Sequence, residues 1–452
     1  MNTPAPDPGY AGAVQALGER GRFGVRLGLG RTRALLRELG DPQLAVRGAL
    51  IAGTNGKGSV LALADAALRA AGHHVATTPK PHLVSYRERI AVDGRPIGAD
   101  DFARLVNRIL DVSDRVARRQ GQPTEFELLT AVVFAHFAEV QPDVALVEVG
   151  LGGRLDATHA WDGGVAVVTN VDLDHTDRLG PTITAIAREK AAIIERGDLA
   201  VTGARGDGLA VIRRRARRLG VPLTEVEPAP LLGWDRDGID VELPGLGRTR
   251  VGLRGRHQAA NVAIADALLD ALAAAGIAAT PPSARRAGYG AAVWPGRLEL
   301  IRVAERDVLL DGAHNPAGAT ALAVALDDLR PYLANGPITL VTASMSDKDV
   351  DGVVGALAAA RALGGATVVC ASLPVPRAMP AADLAARWRA GLPDSRVLVE
   401  PDPLAALDLA LANPSSEPGP IVVAGSLYLV GAARGRLVDD PDLRDPEPSE
   451  DA

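Results

Sequence analysis

Residues 49–59 read Ala-Leu-Ile-Ala-Gly-Thr-Asn-Gly-Lys-Gly-Ser, and an Ala/Leu-rich stretch of helical length follows. A short apolar run that breaks into glycines and then into a helix is a strand–loop–helix unit. Glycines let successive backbone N–H groups turn toward one point without a Cβ clash. The helix that begins there adds the positive end of its dipole. Within Gly53, Thr54, Asn55, Gly56, Lys57, Gly58 and Ser59, Lys57 offers a mobile ammonium to the terminal phosphates of ATP. Ser59 offers a hydroxyl beside the metal ion. The regular loop places that hydroxyl directly after the lysine, and here Gly58 intervenes. The bland alternative is a Gly-rich turn with no ligand; the strand before and the helix after both speak against it.

Outward from this loop, apolar runs alternate with stretches of helical length, the βαβα pattern of a parallel α/β sheet. Strands are expected at 49–52, 75–78, 144–149 and 165–170, and helices at 59–71, 127–139 and after Gln258. A second series of strands is expected at 308–310, 338–342, 367–371, 397–399 and 421–424. The breakers in Trp294-Pro295-Gly296-Arg297 separate the two series. The expected domains are 1–297 and 298–436, followed by an acidic tail at 437–452. At about 150 residues per domain, 452 residues suit two or three.

Composition narrows the function classes. The net charge is −6, and the tail 437–452 alone, with seven acids and one arginine, carries all of it. The rest is formally neutral, which argues against a broad nucleic-acid-binding surface. The tail and the first ten residues are expected to be disordered. One cysteine, Cys370, allows no intramolecular disulfide and no Cys-based zinc site, which suits a reducing, cytoplasmic setting. No uninterrupted apolar run reaches the length of a membrane-spanning helix, and the N-terminus lacks the features of a secretory signal. Of 49 basic residues only Lys57, Lys80, Lys190 and Lys348 are lysine. Codon bias explains the excess of arginine but not where these four remain.

Several residues are placed where chemistry gathers in open α/β sheets, at strand carboxyl ends. Glu148 closes the apolar strand 144–149 before Gly150-Leu151-Gly152-Gly153. A carboxylate there would hold Mg²⁺ beside a triphosphate, or be a satisfied rim residue. The next strand runs into Asp172, Asp174 and His175, further metal or water-positioning residues. Lys190 lies among apolar residues in an amphipathic helix, where an unpaired ammonium is costly. The bland reading has it snorkel to solvent or pair with Glu189 or an acid elsewhere.

These motifs together resemble the folylpolyglutamate synthase/dihydrofolate synthase family of the Mur ligase superfamily. The matching stretches run in order from 53 to 431: GTNGKGS (53–59), PHLVSYRERI (81–90), TEFELLTA (124–131), EVGLGGRLDAT (148–158), TNVDLDHTDRLG (169–180), AREKAAII (187–194), HQAANVAIA (257–265), WPGRLE (294–299), DGAHNPAGA (311–319), MSDKD (345–349), PRA (376–378) and GSLYLVG (425–431). The resemblance implies a P-loop parallel-sheet domain followed by a smaller Rossmann-like α/β domain. It implies that Lys57 meets the terminal phosphates and that Glu148 and His175 bind magnesium, one ion or two, with Ser59 beside them. Lys190 would carry a carbamate, a role arginine could not take. Asn261, Arg297, Asp311 and His314 would hold the nucleotide. Thr124, Glu125, Phe126, Glu127, Leu155, Asp156 and Ala157 would contact the pterin-bearing acid, with Lys80, His82 and Arg377 as further substrate contacts. The implied reaction adds L-glutamate to dihydropteroate or tetrahydrofolate through an acyl phosphate, in a cytoplasmic monomer. The rival readings are a related ligase acting on a different acid, and a nucleotide-binding protein without ligase activity.

One departure is central. The family usually reads Ser-Pro-His-Leu, with the serine on a magnesium ion, where this chain has Lys80-Pro81-His82-Leu83. A protonated lysine has no lone pair for a metal. Lys80 either points to solvent while Thr78 or Ser59 substitutes for the serine, contacts phosphate in place of one ion's charge, or marks an altered activity; the second reading is favoured. His159 and Ala432 are lesser departures, and His159 is expected at the rim.

Overall fold

A computed structural model describes residues 9–21, 27–412 and 418–446, so the first eight residues and the end of the acidic tail lie outside the described residues. The chain divides into two compact units, one of 1–228, 260–289 and 440–452, the other of 229–259 and 290–439.

The first unit is built on eight strands: β1 (Gly48–Ala52), β2 (Val75–Thr78), β3 (Ala91–Val92), β4 (Arg95–Pro96), β5 (Val144–Glu148), β6 (Gly164–Val168), β7 (Leu199–Thr202) and β8 (Leu223–Glu225). Their order is β4-β3-β2-β5-β1-β6-β7-β8. From β2 to β8 the neighbours are parallel; β3 and β4 add an antiparallel edge. Every residue of β1, β2 and β5 is buried, as parallel strands covered on both faces require. This is why they read as continuous apolar runs rather than alternating ones.

Among the described residues, ten α-helices lie wholly or mainly in this unit: α1 (Tyr10–Gly21), α2 (Gly30–Glu38), α3 (Lys57–Ala70), α4 (Ala99–Gln120), α5 (Glu125–Val140), α6 (Thr176–Leu179), α7 (Ile183–Ala191), α8 (Gly206–Leu219), α9 (Gln258–Ala274) and α10 (Pro282–Ala291). The core between helices and sheet contains Leu35, Phe102, Phe134, Phe137 and Trp161. The Trp161 indole satisfies its N–H on the carbonyl of Val46 at 3.1 Å.

The second unit holds a three-stranded antiparallel sheet, β9 (Leu231–Asp235), β10 (Gly238–Leu243) and β11 (Gly247–Val251). It also holds six strands in the order β12-β13-β17-β14-β15-β16: β12 (Glu299–Val303), β13 (Arg306–Asp311), β14 (Thr339–Thr342), β15 (Thr367–Cys370), β16 (Arg396–Val399) and β17 (Ile421–Ala424). Only β12 runs antiparallel to its neighbour. Cys370 is buried on β15, and burial pushes its thiol up to about 12.

The expected α/β architecture and all nine expected strands are present within one or two residues. The β9–β11 meander was not anticipated, although Ile239, Val241 and Leu243 alternate buried with more exposed Asp240 and Glu242. Part of the tail expected to be disordered is held in place. Pro441–Leu443 forms a 3-10 turn, and Arg87 and Ser85 grip Arg444 and Asp445. A buried guanidinium with these acceptors outweighs the chain entropy that composition alone suggests. Among the described residues no helix is long and apolar enough to cross a membrane.

Candidate active site

β1 lies between β5 and β6, and the chain visits one side of it before the other. That is a topological switch point, where a crevice opens at the carboxyl ends. The residues delivered there are Gly53 after β1, Glu148 at the end of β5, and Thr169 and Asn170 after β6.

The loop after β1 is shaped by close approach. At Gly53, with φ 156°, a Cβ would stand 1.8 Å from Thr169 Oγ1. At Gly56, with φ 82°, a Cβ would stand 2.4 Å from Asn261 Oδ1, which places the expected nucleotide contact Asn261 against the loop. Asn170 Oδ1 accepts the N–H groups of Thr54 and Asn55 at 3.1 and 2.8 Å. Thr169 Oγ1 donates to the carbonyl of Asn55 at 2.7 Å, and the amide of Asp172 donates to Thr54 Oγ1 at 3.0 Å. The end of β6 therefore sets the shape of the phosphate loop. Asn170 and Thr169 were not singled out from sequence; their signal is a polar pair directly following a buried strand. Ser59 is buried in the first turn of α3.

Three of the four lysines converge here. Lys57 Nζ donates to the carbonyls of Gly53 and Thr54 at 3.1 and 3.2 Å and lies 3.9 Å from Glu148 Oε1. Lys190 Nζ donates to the Gly53 carbonyl at 2.9 Å. The main-chain N–H of Lys80 donates to Glu148 Oε2 at 3.0 Å, and its Nζ donates to the Glu148 carbonyl at 2.5 Å. The Phe126 ring lies 5.0 Å from that Nζ. Lys80 is thus bound to Glu148 rather than turned to solvent.

Lys190, only 4% exposed, neither snorkels nor pairs with Glu189. Glu189 pairs with Arg154 at 2.8 Å, and the Arg154 N–H donates to the Glu189 carbonyl at 2.9 Å. These bonds stitch the Gly150–Arg154 loop to α7. Burial, reinforced by repulsion from Lys57, pulls the Lys190 ammonium down to about 7. Burial also pulls Lys80 down to about 8, against the attraction of Asp156 and Glu148.

Of the other expected metal ligands, His175 stands exposed at a left-handed position, φ 50°, with its N–H on Asp174 Oδ1 at 2.8 Å. The Asp172 carboxylate accepts the N–H of Leu173 in the same loop. Among the described residues no three His, Cys, Asp or Glu side chains group as a metal site. Glu148 and Ser59 are hard oxygen donors beside a phosphate loop. They suit an ion that takes its remaining ligands from phosphate oxygens and water.

The expected substrate contacts divide by what their side chains already do. Thr124 and Glu127 form the capping box of α5, and Glu127 pairs with Arg31 at 2.9 Å. Asp156 is buried and accepts the N–H groups of Gly150, Leu151 and Thr158. The Leu155 carbonyl accepts from Gly28, and Ala157 is buried in a 3-10 turn. Phe126 packs under Lys80 and against the Gly150 position. Glu125 accepts from Tyr86 Oη at 2.9 Å. Tyr86 in turn packs against His82, with ring centres 4.3 Å apart and planes tilted by 47°. Arg89 Nε donates to His82 Nδ1 at 2.8 Å; burial and this guanidinium push His82 down to about 3, so the ring is neutral. Tyr86, Arg89 and Arg31 were not assigned roles from sequence. His159 contacts the Arg154 carbonyl and Glu195.

In the second unit, Arg297, Asp311 and His314 sit together at the end of β13. Asp311 accepts the N–H groups of Leu298 and Ala313, both at 2.9 Å. A Cβ at Gly312 would stand 2.0 Å from Arg297 Nη1, and His314 Nδ1 lies 2.8 Å from the Gly312 carbonyl. Glu299 braces this turn through the Gly296 N–H and Arg434. Arg377, exposed in a different loop of this unit, pairs with Asp347 at 2.6 Å.

Comparison with known proteins agrees with this geometry. Residues 51–224 match the Mur ligase middle domain, and residues 296–427 match the Mur ligase glutamate ligase domain. The dihydrofolate synthase/folylpolyglutamate synthase of Bacillus subtilis is 34% identical over 438 residues, covering 95% of this chain and 99% of that protein. The protein of the same name from Mycobacterium tuberculosis is 38% identical over 458 residues, covering 91% and 90%. Among solved structures, Mycobacterium tuberculosis folylpolyglutamate synthase complexed with ADP and AMPPCP superposes with a TM-score of 0.83 at 33% identity, covering 97% of this chain and 100% of that one. E. coli FolC in complex with DHPP and ADP gives a TM-score of 0.81 at 29% identity, covering 96% and 99%. The chain is an ATP-dependent ligase and belongs to the dihydrofolate synthase/folylpolyglutamate synthase family of Mur ligases.

Proposed function

We propose that this chain joins L-glutamate to dihydropteroate, tetrahydrofolate or both, in the cytoplasm, with Mg²⁺ and a carbamate on Lys190. The observation that carries this reading is the convergence of Lys57, Lys80, Lys190 and Glu148 around the Gly53 carbonyl end of β1. A site that only held a nucleotide would need Lys57 but not a buried second lysine on α7.

The substrate carboxylate oxygen attacks the γ-phosphorus of ATP. The bond from that phosphorus to the bridging oxygen breaks, giving ADP and an acyl phosphate. The neutral amine of glutamate then attacks the acyl carbon; the C–N bond forms, the acyl C–O bond breaks, and phosphate and a proton leave. Lys57 neutralises charge on the terminal phosphate, and the loop N–H groups and α3 fix its position. Mg²⁺, held by Glu148, Ser59, His175 and the carbamate, would supply further charge neutralisation on the phosphoryl oxygens. Lys190 suits carbamate formation because its lowered pKa leaves a large neutral fraction near pH 7. The neutral amine attacks CO₂ and sheds one proton, which turns a buried cation into an anionic oxygen donor. Asn261, Arg297, Asp311 and His314 serve the nucleotide in this reading. The neutral His82 ring, Tyr86 and Phe126 face the pterin acid.

A second reading, a Mur-type ligase acting on another acid, is favoured by Lys80 standing over Phe126, within a segment assigned to the pterin acid. One assay separates the two: ADP release with glutamate plus dihydropteroate, and with glutamate plus tetrahydrofolate. Release with either supports the folate reading, and release with neither defeats it.

A further inference from the structure

Glu148 is approached by cations on two sides. Lys57 Nζ lies 3.9 Å from Oε1. Lys80 holds the same residue twice, through its N–H on Oε2 at 3.0 Å and its Nζ on the main-chain carbonyl at 2.5 Å. The Phe126 face, 5.0 Å from that Nζ, favours a cation at this position. Nearby Asp156 has its carboxylate committed to the N–H groups of Gly150, Leu151 and Thr158. One residue therefore engages both lysines: its carboxylate meets the Lys57 ammonium and the Lys80 main-chain N–H, and its main-chain carbonyl takes the Lys80 ammonium. No three His, Cys, Asp or Glu side chains group to hold a metal ion among the described residues.

We propose that Lys80 is a resident cation that occupies one of the positive positions around Glu148, so that the nucleotide complex of this chain takes up a single divalent ion. A protonated lysine cannot ligate a metal, and at a few ångströms it repels one strongly in a partly buried setting. Lys80 is in this sense a positioning residue. Its backbone N–H holds the Glu148 carboxylate whatever its side chain is, while its ammonium, anchored on the Glu148 main-chain carbonyl, adds a fixed positive charge beside that carboxylate. The proposal rests on the nucleotide-binding reading of the loop at 53–59.

The test counts ions on the full chain. Mn²⁺ is titrated into protein with equimolar AMPPCP at pH 7, free Mn²⁺ is read by its paramagnetic resonance signal, and AMPPCP binding is followed in parallel by calorimetry. The expected result is one Mn²⁺ per complex for the unsubstituted chain, one for Lys80→Arg, and two for Lys80→Ser. Two ions on the unsubstituted chain overturn the proposal, as does a count of one in Lys80→Ser. Lys80→Met, which keeps the stem and removes the charge, carries the same comparison if the serine variant fails to fold. Failure of the unsubstituted chain to bind AMPPCP at any Mn²⁺ concentration removes the nucleotide reading, and this proposal with it. Normal AMPPCP binding with two ions removes the proposal alone.

Discussion

The ammonium of Lys190 lies 2.9 Å from the carbonyl oxygen of Gly53, across 137 residues of sequence. That bond joins α7 to the phosphate loop, and it places a buried, weakly basic amine beside the lysine expected to meet the nucleotide. Lys57 donates to the same carbonyl at 3.1 Å, so the two ammonium groups share one acceptor and repel each other. The arrangement is electrostatically costly for a protein that only folds, and converting Lys190 to an anionic carbamate, as proposed, would remove the repulsion.

Lys190→Ala should therefore leave AMPPCP affinity within a few-fold but lower kcat by about 100-fold or more, the scale of losing one well-placed charge in a reaction centre. Stripping CO₂ from the buffer should lower the activity of the unsubstituted chain, and bicarbonate should restore it. Full turnover in Lys190→Ala, measured as ADP release, would contradict the role given to this residue.

Gly56→Ala strains the loop twice, by its φ of 82° and by a Cβ 2.4 Å from Asn261 Oδ1. The backbone term costs about 1–2 kcal/mol. Displacement of Asn261 should weaken AMPPCP binding at least tenfold by calorimetry. Unchanged affinity would mean that the Gly56–Asn261 approach plays no part in holding the nucleotide.

Asp445→Ala removes an acceptor from a buried guanidinium. Arg87 would keep the carbonyls of Arg444 and Ile97 but lose the carboxylate, and Ser85 Oγ would lose a 2.6 Å bond. The expected loss is roughly 1–3 kcal/mol in urea unfolding, with a larger loss on deleting residues 440–452. A midpoint equal to that of the intact chain would show that the tail contributes nothing to stability.

Asp65 on α3 gives a pH-dependent signature. Burial raises its carboxyl to about 6 from an ordinary 3.8, even though Arg69 Nε donates to it at 2.9 Å. Between those values the folded chain holds a proton that the unfolded chain has released, so stability falls as pH rises from about 4 to about 6 and stays lower above that. Asp65→Asn should remove this slope. The stability of the variant relative to the parent should then be more favourable at pH 7 than at pH 4 by on the order of 2 kcal/mol. An identical pH profile in both proteins would rule this assignment out.

Much of this molecule is legible along the chain, because its decisive features are local. A buried parallel strand must be an apolar run, and a phosphate loop must have glycines where its backbone turns and approaches other groups. β1, β5 and β6, the glycines at 53 and 56, and Lys57 at the start of α3 all follow from short-range rules. The β9–β11 meander was legible in principle from alternation, but its turns carry little apolar signal. The hold of Arg87 on Asp445 was not legible, because composition marks that tail as solvated and only a distant buried guanidinium makes it ordered.

The α/β class, the glycine loop that follows β1 and the scarcity of lysine can all be read from the residues in order. Tertiary structure alone decided that Lys80 turns onto Glu148, that Lys190 bonds Gly53 rather than Glu189, and that Asn170 fastens the loop from the neighbouring strand. The physical reason is that sheet order is non-local. β5 and β6 flank β1 only after two long crossovers, and the charges at their ends acquire partners only when those ends are brought side by side.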